Sequence, residues 1–416
     1  MTINSADLTI KDILCADYQS LLEVGVEFRN SGNIAEAHAI LNAASSLYPE
    51  EWQIWYELGV LHYDNAEFDS AIDCFERSLG LNPANWSLQE ILGALYASKK
   101  SQSAFHSFVQ KSSVNSYESA KTLSTLKAYS EFISDYDIDY VRAYYQKNIG
   151  PEEGLLNVGS LLALFKKSQL NQEGFAFVRL GDGEGAWGFH DPTSEFKYGS
   201  LYERNREEFW KIWFGEIRAD DYSSFYRTIH NLSVQLKDAD VIGVPPLTWV
   251  EHEYRYASIR GCAGTFNAVR MAIELASDQV VYCSQLMHYD LGHSENFLDF
   301  LSASKHVAVI SCHLEMKDFL VEKLGGPKVT LIGVPGEPSR AHLLGETSLK
   351  GKHYPEYFSQ VNEFILSKDW SGVPVLVAGG ILGKQYALSF KSRGGIAIDI
   401  GSQADKWMGK KTRPGF

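Results

Sequence analysis

The chain has 416 residues, 45% of them hydrophobic and 13% aromatic, and its 52 acidic and 38 basic side chains leave a net charge of −14. That length predicts two to three domains with substantial cores, and the acidic balance argues against nucleic acid as a partner, since neutralising phosphates takes clustered Lys and Arg. No run approaches the roughly 18 apolar residues of a membrane span, so no transmembrane segment is expected.

The first residues, Met1-Thr2-Ile3-Asn4-Ser5-Ala6-Asp7, lack the basic start and apolar stretch of a signal peptide. Five cysteines (Cys15, Cys74, Cys262, Cys283, Cys312) are scattered without CxxC spacing, which argues against a zinc site or a disulfide framework. Both features predict a cytoplasmic protein with small, buried, reduced cysteines.

Gly25, Gly59 and Gly93 are spaced by 34, as are Ala37 and Ala71, and Pro49 and Pro83. A 34-residue period is that of tetratricopeptide (TPR) helix pairs. Small residues at the Gly and Ala positions let the paired helices approach, and each proline ends a unit. Trp55, Leu58, Gly59, His62, Phe68, Ala71 and Phe75 make the best copy; a third begins at Trp86 and then degrades. About two and a half repeats are expected over residues 1–115, where 15 acidic face six basic side chains. Such a stack holds a protein partner, or serves only as a spacer. Residues 101–135 carry ten serines and neither Pro nor Gly, and a polar helical connector is expected over 116–140.

From 141 to 416 short apolar runs alternate with amphipathic stretches. This predicts an α/β Rossmann-like domain with a mainly parallel sheet, its strands at 175–179, 241–244, 279–282, 307–311, 329–333, 373–378 and 396–400. Ligands of such sheets bind outside the carboxyl ends of the strands. The first strand runs into Arg179-Leu180-Gly181-Asp182-Gly183-Glu184-Gly185. Read as a tight turn, it projects Asp182 and Glu184 as hard oxygen ligands for a divalent cation, Mn²⁺ or Mg²⁺, that binds a diphosphate. Arg179 adds a positive contact. Gly181 and Gly183 let the backbone approach a ligand and take positive φ. A solvated acidic turn is the alternative.

Later strand ends supply further candidates. His288, Asp290, His293 and Glu295 cluster after the third strand, with His288 a candidate base. Ser311 and His313 follow the fourth, and Glu337 and Arg340 occupy a rigid loop after the fifth. Gly379-Gly380 precedes a helix whose N-terminus suits a phosphate, with Lys384 one turn in. Asp399 and Ser402 end the last strand.

The run Phe177-Val178-Arg179-Leu180-Gly181-Asp182-Gly183-Glu184 resembles the R-[FL]-G-D-G-E signature of the GT-D fold glycosyltransferases. Ala378-Gly379-Gly380 and the later Ile398-Asp399-Ile400-Gly401-Ser402 resemble that family's closing unit. Trp407 and Thr412-Arg413-Pro414 resemble the ending of a bacterial subgroup. The resemblance implies transfer of a sugar from a nucleotide-diphospho-sugar, with Asp182 and Glu184 in metal and donor binding. Ser402 stands where better-known members have His, so an imidazole would have to come from His288, His293 or His313. A metal-dependent glycosyltransferase acting on a protein or glycan acceptor is the expectation, with the repeats recruiting acceptor or partner. The alternative is a TPR adaptor whose α/β domain binds a nucleotide or sugar without catalysis. The chain lacks the G-x-G-x-x-G and G-x-x-x-x-G-K-[ST] patterns, which counts against nicotinamide enzymes and P-loop NTPases.

Overall fold

The computed structural model describes residues 16–112 and 116–413, which divide into two compact units. The first runs to Tyr136 and also includes His252–Ile259; the second comprises Asp137–Glu251 and the chain from Arg260 onward. Cys15, the first seven residues and Pro414 lie outside the described residues.

The first unit begins with five helices, Tyr18–Asn30, Ile34–Leu47, Trp52–Asp64, Phe68–Leu81 and Trp86–Lys99. Asp17 caps the first by accepting from the Ser20 N–H at 2.8 Å. The repeated glycines explain the pairing. A Cβ on Gly25 would fall 2.6 Å from Leu41, and one on Gly59 2.4 Å from Phe75, so each glycine admits a large side chain from its partner helix. Leu41 and Phe75 are themselves 34 apart.

The third copy breaks this rule. Its period points to Val109, yet Gly93 receives Leu126, 2.4 Å from a built Cβ, with Phe108 beside it. Leu126 lies on the helix Tyr117–Asp135, where Leu123, Leu126, Tyr129 and Phe132 are buried. The stretch expected as a polar connector is therefore the closing helix of the stack; Ser124 and Ser134 face outward while Ser119 and Ser130 are buried. The short helix Gln102–Lys111 is the insertion that hides it from a fixed-period reading.

The second unit contains seven strands: β1 (Phe175–Arg179), β2 (Val241–Val244), β3 (Val281–Ser284), β4 (His306–Ser311), β5 (Lys328–Gly333), β6 (Pro374–Val377) and β7 (Ile396–Asp399). They form one sheet in the order β3-β2-β1-β7-β6-β4-β5, parallel throughout. The central strands are buried along their length because helices cover both faces, so they read as continuous apolar runs. One face packs Phe165, Phe175, Phe177, Leu376 and Ile398 into a core. β3 starts two residues later than the sequence predicts. A turn closed by Val280 N–H to the Ser277 carbonyl holds residues 277–280 out of the sheet.

This order sets the site. The chain steps outward from β1 to β3, crosses to β4 and β5, and returns through β6 to place β7 beside β1. β6 connects toward β7 and β4 toward β5, so their connections leave in opposite directions and open a crevice at the strands' carboxyl ends. No helix among the described residues is long and apolar enough to cross a membrane.

Candidate functional site

At the carboxyl ends of β1 and β7 lies a buried chain of charges. Arg179 Nη2 pairs with Asp399 Oδ1 at 3.1 Å, and the Arg179 backbone N–H donates to Asp399 Oδ2 at 3.3 Å. Lys384 Nζ sits 3.3 Å from that same oxygen and 2.7 Å from Glu184 Oε1. The side chains of Asp399 and Lys384 are 4% and 6% exposed, so neither charge is stabilised by water. Burial works against the Asp399 charge, but Arg179 and Lys384 outweigh it and hold its pKa below the carboxylate range. Burial likewise opposes the ammonium of Lys384, and Asp399 and Glu184 together raise its pKa.

Lys384 is delivered by the helix Leu382–Ser392 after β6. The preceding turn needs its glycine: Gly380 has φ +57°. Gly379 packs onto Gly383, where a built Cβ would lie 3.0 Å from Cα, and Lys384 Nζ also donates to the Gly380 carbonyl at 3.1 Å. The Gly383 N–H donates to the Gly379 and Gly380 carbonyls at 3.0 and 3.1 Å and the Lys384 N–H to the Ile381 carbonyl at 3.3 Å, so what this end offers an anion is the positive pole of the helix dipole.

The motif after β1 is not a turn. Asp182–Gly188 is a short helix with Gly181 as its N-cap residue, and Glu184 at its third position accepts from the Gly181 N–H at 2.9 Å. Gly181, Gly183 and Gly185 all lack positive φ. The glycines serve packing: a Cβ on Gly183 would meet Trp213 at 2.4 Å, and one on Gly185 would meet the Gly264 carbonyl oxygen at 1.9 Å. They bring this helix against its neighbour, not the backbone against a ligand.

That helix also separates the two acids. Residues two apart do not share a helical face. Glu184 turns to Lys384, while Asp182 Oδ1 accepts from the Gly183 N–H and Oδ2 lies 3.6 Å from Arg260 Nε. Arg260 in turn pairs with Glu208 at 2.7 Å. Each carboxylate already faces a cation of the chain, so the pair as arranged does not fit one shared Mn²⁺ or Mg²⁺ ion.

His288 joins the network as a positioning group. Arg179 Nη1 donates to His288 Nδ1 at 2.8 Å and to the Gln285 carbonyl at 3.1 Å. Nδ1 also lies 3.0 Å from the Gln285 carbonyl, and Nε2 lies 3.4 Å from Ser402 Oγ. Burial first, and the Arg179 charge second, hold the imidazole far below the usual histidine pKa. Buried, and enclosed by Arg179, the Gln285 carbonyl and Ser402, His288 is not placed as a base. Asp290, His293 and Glu295 are exposed and stand apart from the network. Ser402 Oγ also bonds Tyr289 OH at 2.8 Å.

The remaining candidates gather at the ends of β4 and β5. Ser311 Oγ accepts from the His313 N–H at 3.1 Å, and His313 Nε2 meets Asp405 Oδ1 at 2.8 Å. Glu337 pairs with Arg340 and, at 3.2 Å, with Arg413. Burial dominates over the Arg340 charge and raises the Glu337 pKa. Sequence reasoning missed Arg260, Glu208, Gln285, Cys312 and Asp405. They sit on helices or loops with no local pattern, and only the fold brings them in.

Among known proteins, residues 25–85 match the model of the tetratricopeptide repeat. The N-terminal helices are thus TPR repeats, followed by an α/β domain with an all-parallel seven-stranded sheet. No curated protein matches the chain. A solved O-GlcNAc transferase variant from Thermobaculum terrenum aligns over 98% of this chain and 92% of its own, at 11% identity and a TM-score of 0.26. A likeness of that size bears on neither fold nor activity.

Proposed function

We propose that the α/β unit is a glycosyltransferase of GT-D type that takes a nucleotide-diphospho-sugar, and that the TPR repeats recruit a protein or glycan acceptor. The observation that carries this reading is the convergence of Arg179, Lys384 and the N-terminus of the helix Leu382–Ser392 at the carboxyl ends of β1, β7 and β6. An anionic leaving group is the ligand such an end selects. The motif residues quoted for the family resemblance, Arg179, Asp182, Glu184 and Asp399, all belong to this site or border it.

In the transfer, an acceptor hydroxyl attacks the anomeric carbon and the bond to the diphosphate oxygen breaks, its electron pair leaving with the nucleoside diphosphate. The positive pole of the helix Leu382–Ser392 stabilises that developing charge, with the buried Lys384 ammonium acting through space behind it. Asp399 and Glu184 keep Lys384 protonated and oriented, and His288 keeps Arg179 in place. Asp182, whose side chain is 27% exposed, takes the acceptor proton.

The test is a thermal-shift and calorimetric screen of nucleoside diphosphates and nucleotide-sugars against the full chain. A ligand that binds only the folded state raises Tm. Stabilisation by one nucleoside diphosphate, lost in Lys384→Ala, and release of that diphosphate from its sugar conjugate support the transferase. Binding without turnover favours the adaptor, and no binding by any of them removes both readings of the site.

A further inference from the structure

Cys312, His313 and Asp405 come together where the connections of β4 and β6 diverge. The Cys312 sulfur, one His313 imidazole nitrogen and one Asp405 carboxylate oxygen all lie within 4.8 Å of one another. The chain reaches this arrangement from two distant segments: the bend that follows β4, and the helix Gln403–Trp407 after β7. We propose that these three side chains form a Zn²⁺ site whose fourth position is open to water or to an oxygen of a bound substrate.

The donor set suits the ion. Zn²⁺ takes thiolate, imidazole and carboxylate, with about 2.3 Å to sulfur and about 2.0–2.2 Å to nitrogen or oxygen, and three protein ligands with one open place is the pattern of a catalytic site. Tetrahedral angles at those lengths put the ligand atoms about 3.3–3.6 Å apart, so the present group closes on an ion with small side-chain shifts. An alkaline-earth ion is disfavoured by the sulfur and by the small number of oxygens.

His313 is fully buried, so its ring is held in place toward Asp405. Its Nε2 is 2.8 Å from Asp405 Oδ1, a hydrogen-bonded pair that widens by about 0.5 Å to take the ion between them. Asp405 is itself oriented, since Thr412 Oγ1 donates to its other oxygen at 2.5 Å. Coordination to the ion deprotonates the Cys312 thiol. The absence of CxxC spacing misleads here because the third ligand lies 92 residues downstream.

Cobalt tests the site directly. The full chain is stripped of metal and titrated with Co²⁺ alone. One equivalent should produce a thiolate-to-cobalt charge-transfer band in the near ultraviolet that Zn²⁺ abolishes and that Cys312→Ser lacks. No such band at saturating Co²⁺, or an undiminished band in folded Cys312→Ser, overturns the proposal. Should that variant not fold, alkylation of Cys312 in the unaltered chain is mapped by mass spectrometry. Zn²⁺ should slow it at least tenfold, and equal rates with and without Zn²⁺ overturn the site. Neither readout depends on any glycosyl transfer.

Discussion

Gly401 leaves open the space that the Arg179 guanidinium fills. A Cβ at residue 401 would fall 1.9 Å from Arg179 Nη2, and Gly401 also has φ +42°, a conformation side chains rarely adopt. The glycine two residues past Asp399 is thus a condition for the Arg179–Asp399 pair, not a loop ornament. Gly401→Ala should displace the guanidinium and cost about 1–3 kcal/mol, read as a lower urea midpoint, and should weaken nucleoside diphosphate binding along with it. Unchanged stability and binding would mean that the pair tolerates a shifted arginine.

The Arg179–Asp399–Lys384 chain is buried, so removing one member strands the others. Asp399→Asn leaves two cations facing Glu184 alone and should cost about 3–5 kcal/mol. The matching pH dependence has a defined sign. The lowered pKa of Asp399 contributes stability that is present above the unfolded carboxylate value and lost as pH falls through the folded one. The raised pKa of Lys384 contributes stability that is present below the unfolded lysine value and lost only as pH rises through the folded one. In Asp399→Asn the steep acid loss of stability below about pH 4 should flatten, as measured by denaturation across that range.

Three histidines, His288 buried and His190 and His353 half-buried, act at milder pH. Burial lowers His190 and His353 to about 3, and His288 further still. Each is neutral in the folded protein and free to protonate when unfolded, so their stability is present above about pH 6.5 and lost as pH falls toward the folded values. Each should contribute a slope of about 1.4 kcal/mol per pH unit between roughly pH 6 and 4. His353→Gln should reduce that slope by one proton's worth. A Tm that does not change between pH 7 and 5 would show that these imidazoles protonate in place.

The seven strands were legible because a sheet covered on both faces must be written as apolar runs, and Val241–Val244 and Ile396–Asp399 read that way without help. The repeats were legible for a similar reason: Gly25 and Gly59 sit where only a missing side chain admits Leu41 and Phe75. The site was half legible. Asp182, Glu184, Lys384 and Asp399 follow strand ends, where topology places ligands, but the Arg179–Asp399 and Lys384–Glu184 pairs span 220 and 200 residues and leave no local trace. The motif glycines misled because a glycine that permits positive φ and a glycine that permits close packing are the same letter. Gly185 against Gly264 is the second kind, and only the neighbour reveals it.

The packing role of Gly185 yields a sharp contrast with a ligand-binding role. Its built Cβ meets backbone, the Gly264 carbonyl oxygen at 1.9 Å and the Ala268 nitrogen at 2.5 Å, so no side chain can give way. Gly185→Ala should cost about 3 kcal/mol, the upper end for overpacking, with the loss in the urea midpoint exceeding that of Gly181→Ala. At Gly181 the nearest atoms to a Cβ are the side-chain oxygens of Gln285 and Glu184 at 3.2 and 3.3 Å. Similar midpoints for the two variants would return the motif glycines to a loop role.

Asp182 and Glu184 face Arg260 and Lys384, and this bears on metal dependence. Binding of a nucleoside diphosphate, followed by calorimetry, should persist in excess EDTA, since Lys384 and the helix N-terminus supply the positive charge. Asp182→Asn should spare that binding while lowering transfer by about 10²–10⁴-fold, the range for a lost acid–base group. Glu184→Gln should instead weaken binding, because it removes one of the two carboxylates that hold Lys384. Loss of binding in EDTA, restored by Mn²⁺, would reassign Asp182 to a metal that arrives with the donor.

The closing helix of the repeats offers a test of fold against periodicity. A strict 34-residue period puts Val109 opposite Gly93, whereas the side chain found there is Leu126, fully buried 33 residues along the chain from Gly93. Leu126→Ala should open a cavity and cost about 2–5 kcal/mol. Val109, only half-buried on the short helix Gln102–Lys111, should cost far less when cut to Ala. The comparison also locates the end of the stack. If Leu126→Ala is the more damaging change in chemical denaturation of the full chain, the helix Tyr117–Asp135 is an integral part of the repeat core, and any truncation between residues 112 and 116 removes the side chain that fills the third repeat. The reverse order would make that helix a linker after all.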